Sequence, residues 1–299
     1  MRYTTLLILT LALLNTGCAR LDNAFYAPSA ITEYKLHNYT GEVEIRLDAR
    51  YNVPDSLIHL FPILSKGPDE TTTTKIWAVY IGSISHISTD TVIMYCHGKR
   101  DHMDFYWPRA ELLANTRGKN HYGVLMVDYR GYGMSEGKPT EDGLYADVDA
   151  GLNWLKGEGL TNDRLMMYGF SLGTAPATRL CAETRSMKPA KLLLEAPFAS
   201  ADAIVQDAAA LSLYASYFTD LKINNAEEIK KVKQPLFWIH GEADDFLNVS
   251  SQGQVVYDHH TGAYKEAHRI PGAGHGDVPA IMGFDNYLQA VGNFIIRQH

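Results

Sequence analysis

Gly169-Phe170-Ser171-Leu172-Gly173 decides how this 299-residue chain folds. The pentapeptide ends an apolar run over residues 164–170 and opens a helical stretch over 172–183. A serine at such a strand-to-helix junction sits on a sharp, strained turn, and the glycines on either side let neighbouring chain pass close. Its hydroxyl then stands at a helix N-terminus, where free N–H groups and the helix dipole favour developing negative charge. The context marks Ser171 as a candidate nucleophile and the Leu172 N–H as a candidate oxyanion donor.

Working outward, short apolar runs alternate with helical stretches on both sides. Residues 74–81, 91–96 and 123–127 read as strands before the pentapeptide, with helices over 105–115 and 141–156. Residues 191–194, 235–239 and 268–270 read as strands after it, with helices over 251–260 and 281–296. This rhythm implies βαβ units and a mostly parallel central sheet with helices on both faces. The runs are apolar on successive residues, as strands covered on both faces should be. Residues 56–299 are expected to form one domain, with 19–55 a linker and N-terminal edge. The stretch 198–233 is too long for a plain connection. It carries Tyr214, Tyr217 and Phe218, and reads either as a short lid over the site or as a helical insertion packed on the sheet.

A serine hydroxyl is a poor nucleophile without a base. His240-Gly241-Glu242-Ala243-Asp244 follows the 235–239 strand and supplies an acid. Asp244 keeps the HGxxD spacing, whereas Asp245 reads as a solvated loop charge and His240 as a loop-shaping hydrogen-bonder. Among twelve histidines, His275 fits a base by position, in Pro271-Gly272-Ala273-Gly274-His275-Gly276-Asp277 after the last strand. Serine, acid, histidine is a known chain order for such a triad. A tetrahedral oxyanion needs a second donor, and the loop His97-Gly98-Lys99-Arg100 offers the Lys99 N–H. The Lys99 and Arg100 side chains read as solvated charge or as an attraction for an anionic substrate group.

Other chemistries fit poorly. Gly131-Tyr132-Gly133 hints at a dinucleotide fingerprint, but Glu136 stands where the third glycine belongs. Cys and His show no metal-ligand spacing, and acyl-serine chemistry calls for no cofactor. The net charge is −7 with no long basic run, so a nucleic-acid partner has no electrostatic footprint.

His97-Gly98, Asp128-Tyr129-Arg130-Gly131-Tyr132-Gly133-Met134-Ser135, the turn at Ser171, Glu195-Ala196-Pro197-Phe198, the HGxxD at Asp244 and the GxGH ending at His275 occur in one order from about residue 76 onward. Together they resemble the α/β-hydrolase superfamily, in its serine-aminopeptidase-like and abhydrolase-domain branch. The resemblance implies an α/β-hydrolase fold and a Ser171–His275–Asp244 triad acting on a small-molecule or acylated substrate. That branch includes esterases, thioesterases, lipases and peptidases. An ester or thioester is favoured, since it demands less leaving-group protonation than an amide. A serine peptidase, and a binding protein that keeps the fold without activity, are the alternatives.

The N-terminus carries a separate message. Arg2 precedes an apolar run over residues 6–14, too short to span a bilayer. Asn15-Thr16-Gly17-Cys18 then resembles a bacterial lipobox, with Leu14 one place further from the cysteine than is usual. Residues 1–18 thus read as a signal peptide, with Cys18 lipidated and the protein anchored in a bacterial cell envelope, facing the periplasm or exterior. An ordinary cleaved signal would instead give a soluble secreted or periplasmic protein. Cys96 and Cys181 are expected to be buried free thiols rather than a disulfide.

Overall fold

A computed structural model describes residues 25–209 and 219–298. Eight strands form one sheet: β1 (Ile58–Ser65), β2 (Thr74–Ile81), β3 (Val92–Cys96), β4 (Gly123–Asp128), β5 (Leu165–Phe170), β6 (Lys191–Glu195), β7 (Leu236–Gly241) and β8 (Lys265–Ile270). Their order is β1-β2-β4-β3-β5-β6-β7-β8. β2 runs antiparallel to both neighbours, and β4 through β8 pair in parallel. After β4 the winding reverses, so β3 and β5 lie side by side with Cys96 opposite Gly169. At such a reversal the loops beyond two adjacent strands diverge and leave a crevice. The loops carrying Lys99 and Ser171 are those two.

Alternation along each strand feeds two cores. On β5, Leu165 and Met167 join one, while Met166, Tyr168 and Phe170 join the other. The first core is closed by α2 (Glu141–Gly157) and α3 (Thr174–Ala182), the second by α1 (Trp107–Ala114) and α8 (Phe284–Ile296). The remaining helices are α4 (Ala201–Ala209), α5 (Asn225–Glu228), α6 (Gln254–His259) and α7 (Val278–Met282). Cys96 and Cys181 are both buried and free, as expected.

Five details depart from the sequence reading. The expected 281–296 helix is two helices, broken where Gly283 adopts φ +84°. The helix over 172–183 opens with a 3₁₀ turn, Ser171–Gly173, and that over 251–260 follows a π turn, Val249–Gly253. β8 is six residues long; its first three residues, Lys265 to Ala267, are half-buried or exposed on the sheet edge and form no apolar run. Finally, the stretch expected as a linker is not a spacer from residue 25 onward. Phe25, Tyr26, Tyr34, Tyr51 and Val53 are buried in the cores, and Ala27–Pro28 pairs in parallel with Arg100–Asp101. Its aromatics recur without strand or helix period, which hid that packing from sequence.

Tyr214, Tyr217 and Phe218 lie outside the described residues. The ends of the 198–233 insertion pack as a helical insertion would: Phe198, Ala201, Val205, Ile223 and Ile229 are buried. The Asn225 amide donates to the Phe198 carbonyl at 3.0 Å, and the Ala201 N–H donates to the Ile223 carbonyl at 2.9 Å.

Candidate active site

Ser171 takes φ +52°, a left-handed conformation that L-residues seldom hold. The turn is forced by close packing. A Cβ at Gly169 would lie 2.6 Å from the Gly173 carbonyl oxygen, and one at Gly173 would collide with the Cys96 carbonyl. Both glycines of the pentapeptide are thereby explained.

Ser171 Oγ lies 2.9 Å from His275 Nε2, and His275 Nδ1 lies 2.8 Å from Asp244 Oδ2. The three side chains form one hydrogen-bonded chain. Asp244 is buried, and its Oδ1 accepts from the Phe246 and Leu247 N–H groups at 3.0 and 2.7 Å. Burial alone would raise the Asp244 carboxyl. The hydrogen bonds from His240 and His275, the His275 charge and the Leu247 N–H outweigh it and hold the group well below the usual carboxylate range. Asp245 is exposed and lies outside this chain of bonds. His240 fits the loop-shaping expectation: its Nε2 lies 3.1 Å from Asp244 Oδ2 and 2.9 Å from the Leu247 carbonyl.

The loop after β3 is held at both ends. His97 Nδ1 lies 2.8 Å from the Gly98 carbonyl, which fixes the peptide whose N–H belongs to Lys99. The Lys99 carbonyl accepts from the Ala27 N–H at 3.0 Å and the Tyr132 hydroxyl at 2.9 Å. The Arg100 N–H donates to the Tyr106 hydroxyl at 3.0 Å. Residues of the 128–135 stretch brace this loop: Asp128 Oδ1 lies 3.3 Å from His97 Nε2, its Oδ2 accepts from Tyr34 at 2.6 Å, and the Tyr129 hydroxyl donates to the His97 carbonyl at 2.8 Å.

Ser171, His275 and Lys99 line one pocket of about 270 Å³, with Phe105, Tyr106, Phe170 and Phe246 as aromatic walls. A larger groove of about 610 Å³ around Arg117 and Asp285 includes none of these three residues. Burial and the neighbouring Arg100 push the Lys99 ammonium down, and its Nζ sits 5.1 Å over the Phe246 ring. Phe246 also meets His275 edge-on at 5.0 Å. The sequence reading missed Phe246 as a pocket wall, and only its place two residues after Asp244 could have pointed to it. Among the described residues no cluster of three or more His, Cys, Asp or Glu could hold a metal ion, and no helix is long and apolar enough to cross a membrane.

A serine on a strained turn between β5 and α3, a base after β8 and an acid after β7 surround a crevice at the reversal of the sheet. The chain has the α/β-hydrolase fold. It superposes on an esterase from Pyrococcus furiosus with TM-score 0.65 at 21% identity, covering 91% of this chain and 97% of that one. A bacterial heroin esterase gives TM-score 0.60 at 17% identity, over 82% and 87%. Residues 87–231 match the family described as serine aminopeptidase, S33. An alpha/beta hydrolase domain-containing protein, aho-3, of Caenorhabditis elegans is 32% identical over 58% of this chain and 48% of its own length. The human alpha/beta hydrolase domain-containing protein 17B is 31% identical over 58% of this chain and 57% of its own. The chain therefore spans about half the length of the curated relatives it matches. Both are animal proteins, and they lend no support to the lipobox reading; Cys18 itself lies outside the described residues.

Proposed function

We propose that the chain is a serine hydrolase that cleaves a carboxylic ester or thioester through an acyl-serine intermediate. The observation that carries this reading is the unbroken chain from Ser171 Oγ through His275 to Asp244. His275 takes the Ser171 proton as Oγ attacks the acyl carbon. The Leu172 and Lys99 N–H groups receive the tetrahedral oxyanion. His275 then returns the proton to the leaving group, and water repeats the cycle on the acyl-serine. Asp244, ionised throughout, holds the Nδ1–H tautomer and stabilises the imidazolium. No cofactor enters any step.

The S33 match supports a second reading, hydrolysis of an N-terminal peptide bond. Two assays separate these readings from each other and from a binding protein without activity. A fluorophosphonate probe should label Ser171 and not a Ser171→Ala variant; folded wild-type protein that stays unlabelled would exclude catalysis by this serine. A panel of p-nitrophenyl esters, acyl thioesters and aminoacyl-p-nitroanilides then reports the bond cleaved. Faster turnover of the anilides would favour the peptidase. At the cellular level we retain the anchored envelope protein as the proposal for location, with Cys18 as its lipidated residue and a soluble secreted form as the alternative.

A further inference from the structure

Next to the triad lies a buried charge cluster that the proposed mechanism does not use, and one member, Glu42, lines the pocket with Ser171 and His275. Arg109, on α1, is fully buried. Its Nη1 donates to Glu195 Oε1 at 2.6 Å and its Nη2 to Glu42 Oε1 at 2.8 Å. The Tyr287 hydroxyl donates to the second Glu195 oxygen at 3.1 Å, and Tyr168 donates there too. Burial works against the Arg109 cation, but the Glu195 and Glu42 carboxylates hold it charged. A stable core does not require this arrangement, since apolar packing of the same volume often does as well as a buried ion pair.

Two further contacts point the guanidinium at the site. Nη2 also donates to the carbonyl of Gly276 at 3.0 Å, and Gly276 is the residue after His275. The guanidinium carbon lies 4.1 Å over the ring of Phe170, the residue before Ser171. Phe170 in turn lies 5.4 Å from the His275 ring. One rigid planar group thus grips the chain next to the nucleophile and next to the base. Before the base this loop is tied at Ala273, whose carbonyl accepts from the Ala243 N–H at 2.8 Å, and Arg109 adds a hold on the residue just after it.

We propose that Arg109 is a positioning residue, which fixes the separation of His275 and Ser171 by holding the Gly276 carbonyl and the Phe170 ring at once. The inference rests on His275 being the base. A lysine cannot replace the fork, because its compact ammonium lacks the planar donors that reach both carboxylates and the carbonyl.

The test compares Arg109→Lys with Leu152→Ala, a cavity variant on α2 in the core remote from the pocket. Thermal midpoint, fluorophosphonate-titrated sites, kcat and KM are measured on p-nitrophenyl acetate. Misplacement of the base should lower kcat per titrated site by about 10- to 100-fold in Arg109→Lys, with KM within about 2-fold. Leu152→Ala should lose thermal stability and keep its kcat per site. A kcat per site within about 2-fold of wild type in Arg109→Lys, or an equal fall in Leu152→Ala, overturns the proposal. Should Arg109→Lys not fold, Phe170→Leu removes the stacked ring and leaves both ion pairs. An unchanged kcat there overturns it as well. Failure of wild-type labelling would instead sink the serine-hydrolase reading, so the two failures stay distinguishable.

Discussion

In the proposed mechanism Ser171, His275 and Asp244 act as a unit, so each single loss should cost most of the rate. Ser171→Ala or His275→Ala should lower kcat by about 10⁴-fold or more, with the far-UV spectrum unchanged. Residual activity above that level in purified Ser171→Ala would assign the chemistry elsewhere. Asp244 and Asp245 are neighbours with opposite surroundings. The first is buried under two backbone N–H groups and two imidazoles, the second is exposed. Asp244→Asn should therefore damage kcat and stability, and Asp245→Asn neither. The sign of the pH effect follows from the depressed Asp244 carboxyl. A carboxylate lowered on folding adds stability above its unfolded value, about 3.9, and that stability drains away as pH falls through the folded value. The gap in thermal midpoint between wild type and Asp244→Asn should hold from pH 7 to about pH 4.5 and narrow only below that. Narrowing between pH 5 and 7 would mean that Asp244 is not held low.

At the scale of elements, the acid and base reach each other because the loops after β7 and β8 are tied. The Glu242 N–H donates to the Ile270 carbonyl at 3.0 Å, and the Ala243 N–H to the Ala273 carbonyl at 2.8 Å. A side chain at Gly241 would run into the carbonyls of Ala273 and Gly274. Gly241→Ala should push those loops apart. It should lower both the thermal midpoint, by a ΔΔG of about 1–3 kcal/mol, and kcat at fixed KM. Loss of stability with kcat intact would show that the loops move together and that the tie does not set the triad. Much of this was readable beforehand. β2 was placed to the residue, and motif order singled out Ser171, Asp244 and His275, which the structure joins by hydrogen bonds, because apolar runs and glycine-marked turns leave strong local signals. Arg109, Glu42, Phe246 and the packed residues 25–53 were not found. Each owes its place to contacts across distant parts of the chain: Arg109 and Glu195 are 86 positions apart, Arg109 and Gly276 167 apart. Periodicity and spacing carry no trace of such pairs.

The molecule as a whole links its N-terminal segment directly to the crevice. Tyr26 is buried, Ala27 pairs with Arg100, and the Ala27 N–H donates to the carbonyl of Lys99, the residue proposed to hold the oxyanion. Residues 25–40 thus strap the catalytic loop instead of spacing it from an anchor. From Cys18 to Ala27 the chain has nine steps and could span at most about 30 Å fully extended. If Cys18 is lipidated, Ala27 is confined to that distance from the bilayer surface, and the Lys99 loop that it pairs with is held near acyl groups on lipids or lipid-modified proteins there. A single acyl chain binds membranes only marginally, so the anchor must carry several to be stable. Cys18→Ser should then abolish labelling by a radioactive or clickable fatty acid and release the protein from membranes. Inserting twenty Gly/Ser residues between Leu21 and Asp22 tests the strap's geometry separately. Turnover of a vesicle-embedded ester should fall several-fold while turnover of soluble p-nitrophenyl acetate stays the same, because the site itself is untouched. Equal rates on the embedded ester with and without the spacer would show that the short tether has no part in presenting substrate. Wild-type protein recovered unlipidated and soluble would remove the anchor altogether.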